Sequence, residues 1–184
     1  MATTKTANPY KVLTGKGRLC YTKNLLTPDE DGQYSLMFLV PKSDVDTVNK
    51  IKKALEAFKT DARAQAKWGS KWLASMKYPL RDGDSERDVE KAPEFANHYF
   101  INTSTFQKPG VVDAQMNEII NASDIYSGCY GRISIVPGAF NVDGNKGLKI
   151  YLNNVQKLAE GERLGNAASR PDEDFTAVDD DFLN

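Results

Sequence analysis

The chain has one histidine and two cysteines in 184 residues. His98 alone cannot build a histidine-based triad or a two-histidine metal site. Cys20 and Cys129 are too few for a disulfide scaffold or a zinc site, and they read as free thiols packed as small apolar groups. There is no Walker loop, no GxGxxG and no GxSxG. No apolar run approaches the roughly 20 residues that cross a bilayer as a helix. The opening "MATTKTANPYKV" lacks the apolar stretch of a signal peptide. These absences describe a soluble, intracellular, non-membrane protein with no catalytic site, no metal and no required cofactor. One enzymatic alternative survives them. Asp82, Asp84, Glu86 and Asp88 could form a carboxylate-only magnesium site, as in a metal-dependent nuclease.

Net charge is also scarce, at -1, but its distribution is uneven. Asp172, Glu173, Asp174, Asp179, Asp180 and Asp181 are six of the 25 acids, and no lysine or arginine follows Arg170. The first 170 residues therefore hold 24 cations against 19 acids, a net of +5. A basic body with an acidic tail is a pattern of nucleic-acid proteins. A tail that only aids solubility would look the same.

Periodicity predicts a mainly β protein. "YKVLTGKGRLCYT" reads as a strand bent at Gly15 and Gly17. "QYSLMFLVP" follows the turn signal "TPDEDG" and is apolar on both faces. "SDVDTVNKIKKALEAFKTDARAQAKW" is the clearest helix, capped by Ser43, with Val45, Val48, Ile51, Leu55, Phe58 and Ala62 on one face. Lys50, Lys53, Lys59 and Arg63 fall elsewhere and read as a solvated face. Residues 79–95 read as a long surface loop. "NHYFINTSTF" is a strand, and "AQMNEIINASDI" suggests a short helix. "GCYGRISIVPGAF" and "LKIYLNNVQKLA" form a closing hairpin, with turn chemistry at Asp143-Gly144 and Lys146-Gly147. The organisation is one domain over residues 1–160, with a linker and disordered acidic tail over 161–184. A five-stranded barrel with an inserted α-helix fits these elements, and so does an open α+β sandwich.

Alternation along the hairpin separates two faces. If Cys129, Ile133, Ile135, Leu148, Ile150 and Leu152 point into the core, then Tyr130, Arg132, Lys149 and Tyr151 share the outer surface. Rings with interleaved cations suit a single nucleic-acid strand, because bases stack on the rings and cations neutralise phosphates. The same residues also suit ordinary cross-strand packing on a wet face. Similar mixtures occur at Lys16, Arg18 and Tyr21, at Phe106 and Lys108, and at Trp68 and Trp72 in "KWGSKW". The two tryptophans fit a hydrophobic anchor at a helix end equally well.

Three stretches carry a resemblance to a known family. "FQKPGVVD", "YSGCYGRISIVPGAFNVDGNKGLKIYLNNVQKLAEGERLG" and the acidic terminus resemble bacteriophage single-stranded DNA-binding proteins, in particular a phage family of this length formerly of unassigned function. The resemblance spans most of the chain from Tyr10 and is densest between Phe106 and Gly165. It implies an OB-fold that binds single-stranded DNA without strong sequence preference, in replication, recombination and repair of phage DNA in the host cytoplasm. It also implies that Asp172, Glu173, Asp174, Phe175, Asp179, Asp180, Asp181 and Phe182 contact a polymerase, helicase or recombinase. Here Leu183 and Asn184 follow "DDDF", where related tails end on the aromatic residue. With six acids and two rings, the tail also imitates a DNA strand and could compete for the basic body. Exposed strands and an exchangeable tail leave a homodimer open. A non-enzymatic virion or assembly protein, binding protein through the same aromatic face, is the competing reading.

Overall fold

The computed structural model describes residues 7–165. In chain order its elements are β1 (Val12–Leu13), β2 (Gly17–Cys20), β3 (Tyr34–Pro41), α1 (Val45–Phe58), α2 (Ala62–Trp68), β4 (Arg81–Asp82), α3 (Gly83–Glu86), β5 (His98–Thr105), β6 (Gly110–Val112), β7 (Tyr130–Val142) and β8 (Asn145–Ala159). Pairing runs β2–β3–β5–β8–β7 and returns from β7 to β2, so five strands close on themselves. The β5–β8 pair is parallel and the other four are antiparallel. This is the five-stranded OB barrel. β1 extends it beside β7, β6 beside β8, and β4 beside β5.

Alternation builds the core. Leu36, Phe38 and Val40 of β3 point inward and meet Ile101, Ile133, Ile135, Leu148, Ile150 and Leu152. Burying side chains of this size contributes roughly 1.5–3 kcal/mol each before entropy is counted. Gly17 and Gly131 also face inward, where a Cβ would meet Phe38 and Leu19 respectively. The hairpin turns at Asp143 and Gly144, whose φ angles of 50° and 82° form the positive-φ pair of a tight two-residue turn. Lys146-Gly147 makes no turn and lies within β8, where Gly147 bridges Lys77.

The expected single helix is two. Asp44, not Ser43, caps α1 by accepting from the Thr47 N–H at 3.1 Å. Asp61 then caps α2, accepting from the Arg63 N–H at 2.8 Å and from the Tyr10 hydroxyl at 2.9 Å. A residue that serves as an N-cap has non-helical backbone, so a second cap inside the run interrupts it. Residues 114–125 form turns and one short 3₁₀ segment, Ala122–Asp124, instead of a helix.

Residues 79–95 are not a free loop. They supply β4, α3 and a 3₁₀ turn at Pro93–Phe95. Phe95 and Phe100 meet edge to face at 5.4 Å, and together with Cys20, Met37 and Leu39 they make a second small core outside the barrel. That explains why β3 is apolar on both faces. Lys42 pins the covering segment through Asp82 and Asp84, each at 2.6 Å. Both cysteines are buried and free, and burial pushes the Cys20 thiol up to about 12. Residues 161–165, expected to belong to the linker, lie on the barrel. The Glu162 carbonyl accepts from Arg18 Nη2 at 2.9 Å, and the Leu164 N–H donates to the Ser127 carbonyl at 2.9 Å.

Candidate nucleic-acid interface

In an OB barrel the outer face of the second and third strands is the usual oligonucleotide platform. Those strands here are β3 and β5. Their Leu39/Phe100 end is sealed by residues 81–97 and Leu164. The other end is open, where Ser104 lies in register with Tyr151 of β8. From it extends a groove of about 780 Å³, lined by Phe106, Lys108, Tyr151, Asn153, Asn154 and Lys11 among others. Phe106 is 66% exposed. The loop that carries Phe106 and Lys108 is fixed at both ends. Thr105 Oγ1 accepts from the Gln107 N–H at 3.1 Å, and Asn154 Oδ1 accepts from the Gly110 N–H at 3.0 Å.

Tyr151 is held in a defined pose. Its ring lies over Gly138 on the neighbouring strand, where a Cβ would sit 2.3 Å from Cε2. Only glycine allows so close an approach. The Lys149 ammonium stands 4.4 Å from the ring centroid. Tyr151 is half-buried, and a cation on such a ring is worth about 0.5–2 kcal/mol. A base stacked on the ring is worth about 1–3 kcal/mol. Ring and ammonium therefore put a stacking surface and a positive charge side by side.

A second cluster lies farther along the same ribbon. Tyr130 takes Lys16 at 4.9 Å and Arg18 at 5.4 Å from its ring centroid. Arg18 Nε also donates to the Gly128 carbonyl at 3.1 Å. The aliphatic sets of β7 and β8 do point inward, so Tyr130, Arg132, Lys149 and Tyr151 share the outer face. They do not form one patch. Val136, the partner of Tyr151, is six residues beyond Tyr130 on β7, which is roughly 20 Å of strand. Arg132 stands between the clusters, exposed, with Nε donating to Gln156 Oε1 at 2.7 Å.

The remaining candidates divide. Tyr21 is 62% exposed at the end of β2, with φ of 52°. Trp68 must be withdrawn as a stacking platform. It is 1% exposed, and its Nε1–H donates to the Gly147 carbonyl at 3.0 Å, so no ring face is open to a base. Trp72 is half-buried between Trp68 and Tyr78, with the Lys59 ammonium 4.6 Å from its ring. Both tryptophans belong to an anchor at the end of α2. Lys11 and Gly138 also shape the groove, and neither is marked by sequence pattern. A lone lysine beside a short strand carries no signal, and the glycine matters only because Tyr151 crosses it. The tail residues Asp172 to Phe182 lie outside the described residues.

The four carboxylates that could have formed a metal site are each paired with a cation. Asp82 and Asp84 hold Lys42, Glu86 pairs with Arg81 at 2.6 Å, and Asp88 with Lys91 at 3.2 Å. Among the described residues no group of three or more acidic, histidine or cysteine side chains is disposed to hold a metal. No helix among them is long and apolar enough to cross a membrane.

A family model built on the ssDNA-binding protein of Enterobacter phage Enc34 matches residues 10–183. The chain belongs to that family. Protein p50 of Acyrthosiphon pisum secondary endosymbiont phage 1 is 26% identical over 154 residues, 78% of each chain. The bacteriophage Enc34 single-stranded DNA-binding protein superposes with a TM-score of 0.71 at 23% identity, over 89% of both chains. Its complex with ssDNA gives 0.70 at 25% identity, over 84% of this chain and 89% of that one. Bacteriophage T7 gp2.5, a single-stranded DNA-binding protein, gives 0.58 at 13% identity over 87% and 97%, a likeness of fold.

Proposed function

We propose that this member of the Enc34 family is a non-enzymatic single-stranded DNA-binding protein without marked sequence preference. The observation that carries the proposal is the open groove in which Tyr151 and Phe106 present rings beside Lys11, Lys108 and Lys149. Stacking accepts any base and lysines accept any phosphate, so neither group reads sequence. Family membership supports the same reading. The protein would coat strands exposed during replication, recombination and repair of phage DNA in the host cytoplasm. The acidic tail would contact a phage or host polymerase, helicase or recombinase, and compete with DNA for the basic body.

Fluorescence anisotropy of a labelled oligo-dT at two salt concentrations tests the core of this proposal, with duplex DNA as competitor. Tight binding that weakens with salt and resists the duplex is expected. An absence of binding at low salt, with and without residues 171–184, would overturn it in favour of a protein-binding assembly component.

A further inference from the structure

The N-terminal segment divides two grooves, and Lys11 lines both. On one side is the Tyr151 groove. On the other, a groove of about 390 Å³ runs between residues 9–13 and α1. Leu13, 52% exposed, with Ala54 and Ala57 gives it apolar surface, and Lys50 and Lys53 supply its cations. The lysines of this helix are not equivalent. Lys59 is committed to Glu56 at 2.7 Å, and Arg63 to Asp61 at 2.9 Å. Lys53 forms no ion pair among the described residues. Lys50 pairs only with the exposed Asp46, a contact that a phosphate displaces readily. The cations facing the N-terminal segment are thus the ones available to a ligand. The aromatic side chain in this groove, Tyr10, is occupied. It meets Phe58 edge to face at 5.2 Å, and its hydroxyl donates to Asp61. This groove therefore offers charge without a free stacking ring.

We propose that a single strand lying in the Tyr151 groove continues across Lys11 onto α1, where Lys50 and Lys53 neutralise its phosphates. The inference rests on the proposed single-strand binding. It makes the helix a sequence-blind extension of the barrel site, and makes the full site longer than the barrel groove alone.

The test uses the full chain and its K50Q/K53Q variant with two oligo-dT lengths, about six and about twenty nucleotides, one within and one beyond the roughly 4–16 nucleotides that one OB fold covers. Two lost phosphate contacts lower the slope of log K against log salt by about 1.4, at about 0.7 per contact on a single strand. At 0.1 M salt that is on the order of 10- to 25-fold weaker binding of the long strand. The short strand should bind both proteins alike, and K50R/K53R should restore the long-strand affinity. Unchanged long-strand binding, or equal losses for both lengths, would overturn the extension and leave the groove assignment standing. Failure of the unsubstituted protein to bind either length would overturn the groove assignment itself.

Discussion

Replacing Gly138 by alanine should weaken strand binding by moving a ring that the substitution leaves chemically intact. The new methyl would sit 2.3 Å from Cε2 and 2.8 Å from Cδ2 of Tyr151. Carbon atoms in contact keep about 3.5–4.0 Å, so the ring must retreat by more than about 1 Å. A base loses much of a stack worth about 1–3 kcal/mol. A loss of about 1–2 kcal/mol corresponds to roughly 5- to 30-fold weaker binding. Fold stability should barely change. Alanine removes about 0.4–1 kcal/mol of unfolded-chain freedom, which offsets the strain of the displaced ring. The melting temperature should therefore move by only a few degrees, the effect of about 1 kcal/mol. The assay is oligo-dT anisotropy on four proteins: unsubstituted, Gly138→Ala, Tyr151→Ala and the double variant. If Gly138 acts through the ring, its substitution costs nothing further once the ring is gone. Equal losses from Gly138→Ala with and without Tyr151 would refute the reasoning, because the glycine would then act by some other route.

Other outcomes follow from the same geometry. Trp68→Ala removes a buried indole and its bond to the Gly147 carbonyl; it should lower stability by about 3–5 kcal/mol in urea unfolding and leave strand affinity of the folded protein unchanged. A loss of affinity without a loss of stability would return Trp68 to the interface. The Lys42 ammonium holds the Asp82 and Asp84 carboxyls below their ordinary range by donating hydrogen bonds to them. Lowered folded values stabilise above the unfolded pKa of about 3.9, and that contribution disappears as pH falls through the folded values. The melting temperature gap between the unsubstituted protein and D82N/D84N should thus be constant near neutrality and narrow as pH falls below about 4; a gap that stays constant from neutrality down to about pH 2 would show that the ion pairs are not its source. Deleting residues 171–184 removes six acids, and should tighten DNA binding mostly at low salt, where screening is weakest; unchanged affinity there would dismiss competition by the tail.

Much of the fold was legible in the chain. Alternation in β7 and β8 sorted inward aliphatics from outward rings and cations, because a strand has only two faces. Asp143-Gly144 marked the hairpin because few residue pairs tolerate two positive φ angles. The helix break at Asp61 was not legible, since its cap is reinforced by Tyr10, 51 residues earlier. Nor was the cover over β3. The run "SLMFLV" announces burial on both faces but not the identity of the second partner.

The candidate site divides in the same way. Residue types and strand phase alone determined that Tyr130, Arg132, Lys149 and Tyr151 face outward, and that a basic body precedes an acidic end. Local chemistry is enough for that, because side-chain direction follows from position within a strand. Only the tertiary structure decided that these residues form two clusters along a ribbon, that Trp68 is core, and that Lys11 joins the groove. Those facts depend on the register of β7 against β8, on how deeply α2 packs, and on where the N-terminal segment crosses. Each is a contact between residues distant in sequence, and periodicity carries no information about such contacts.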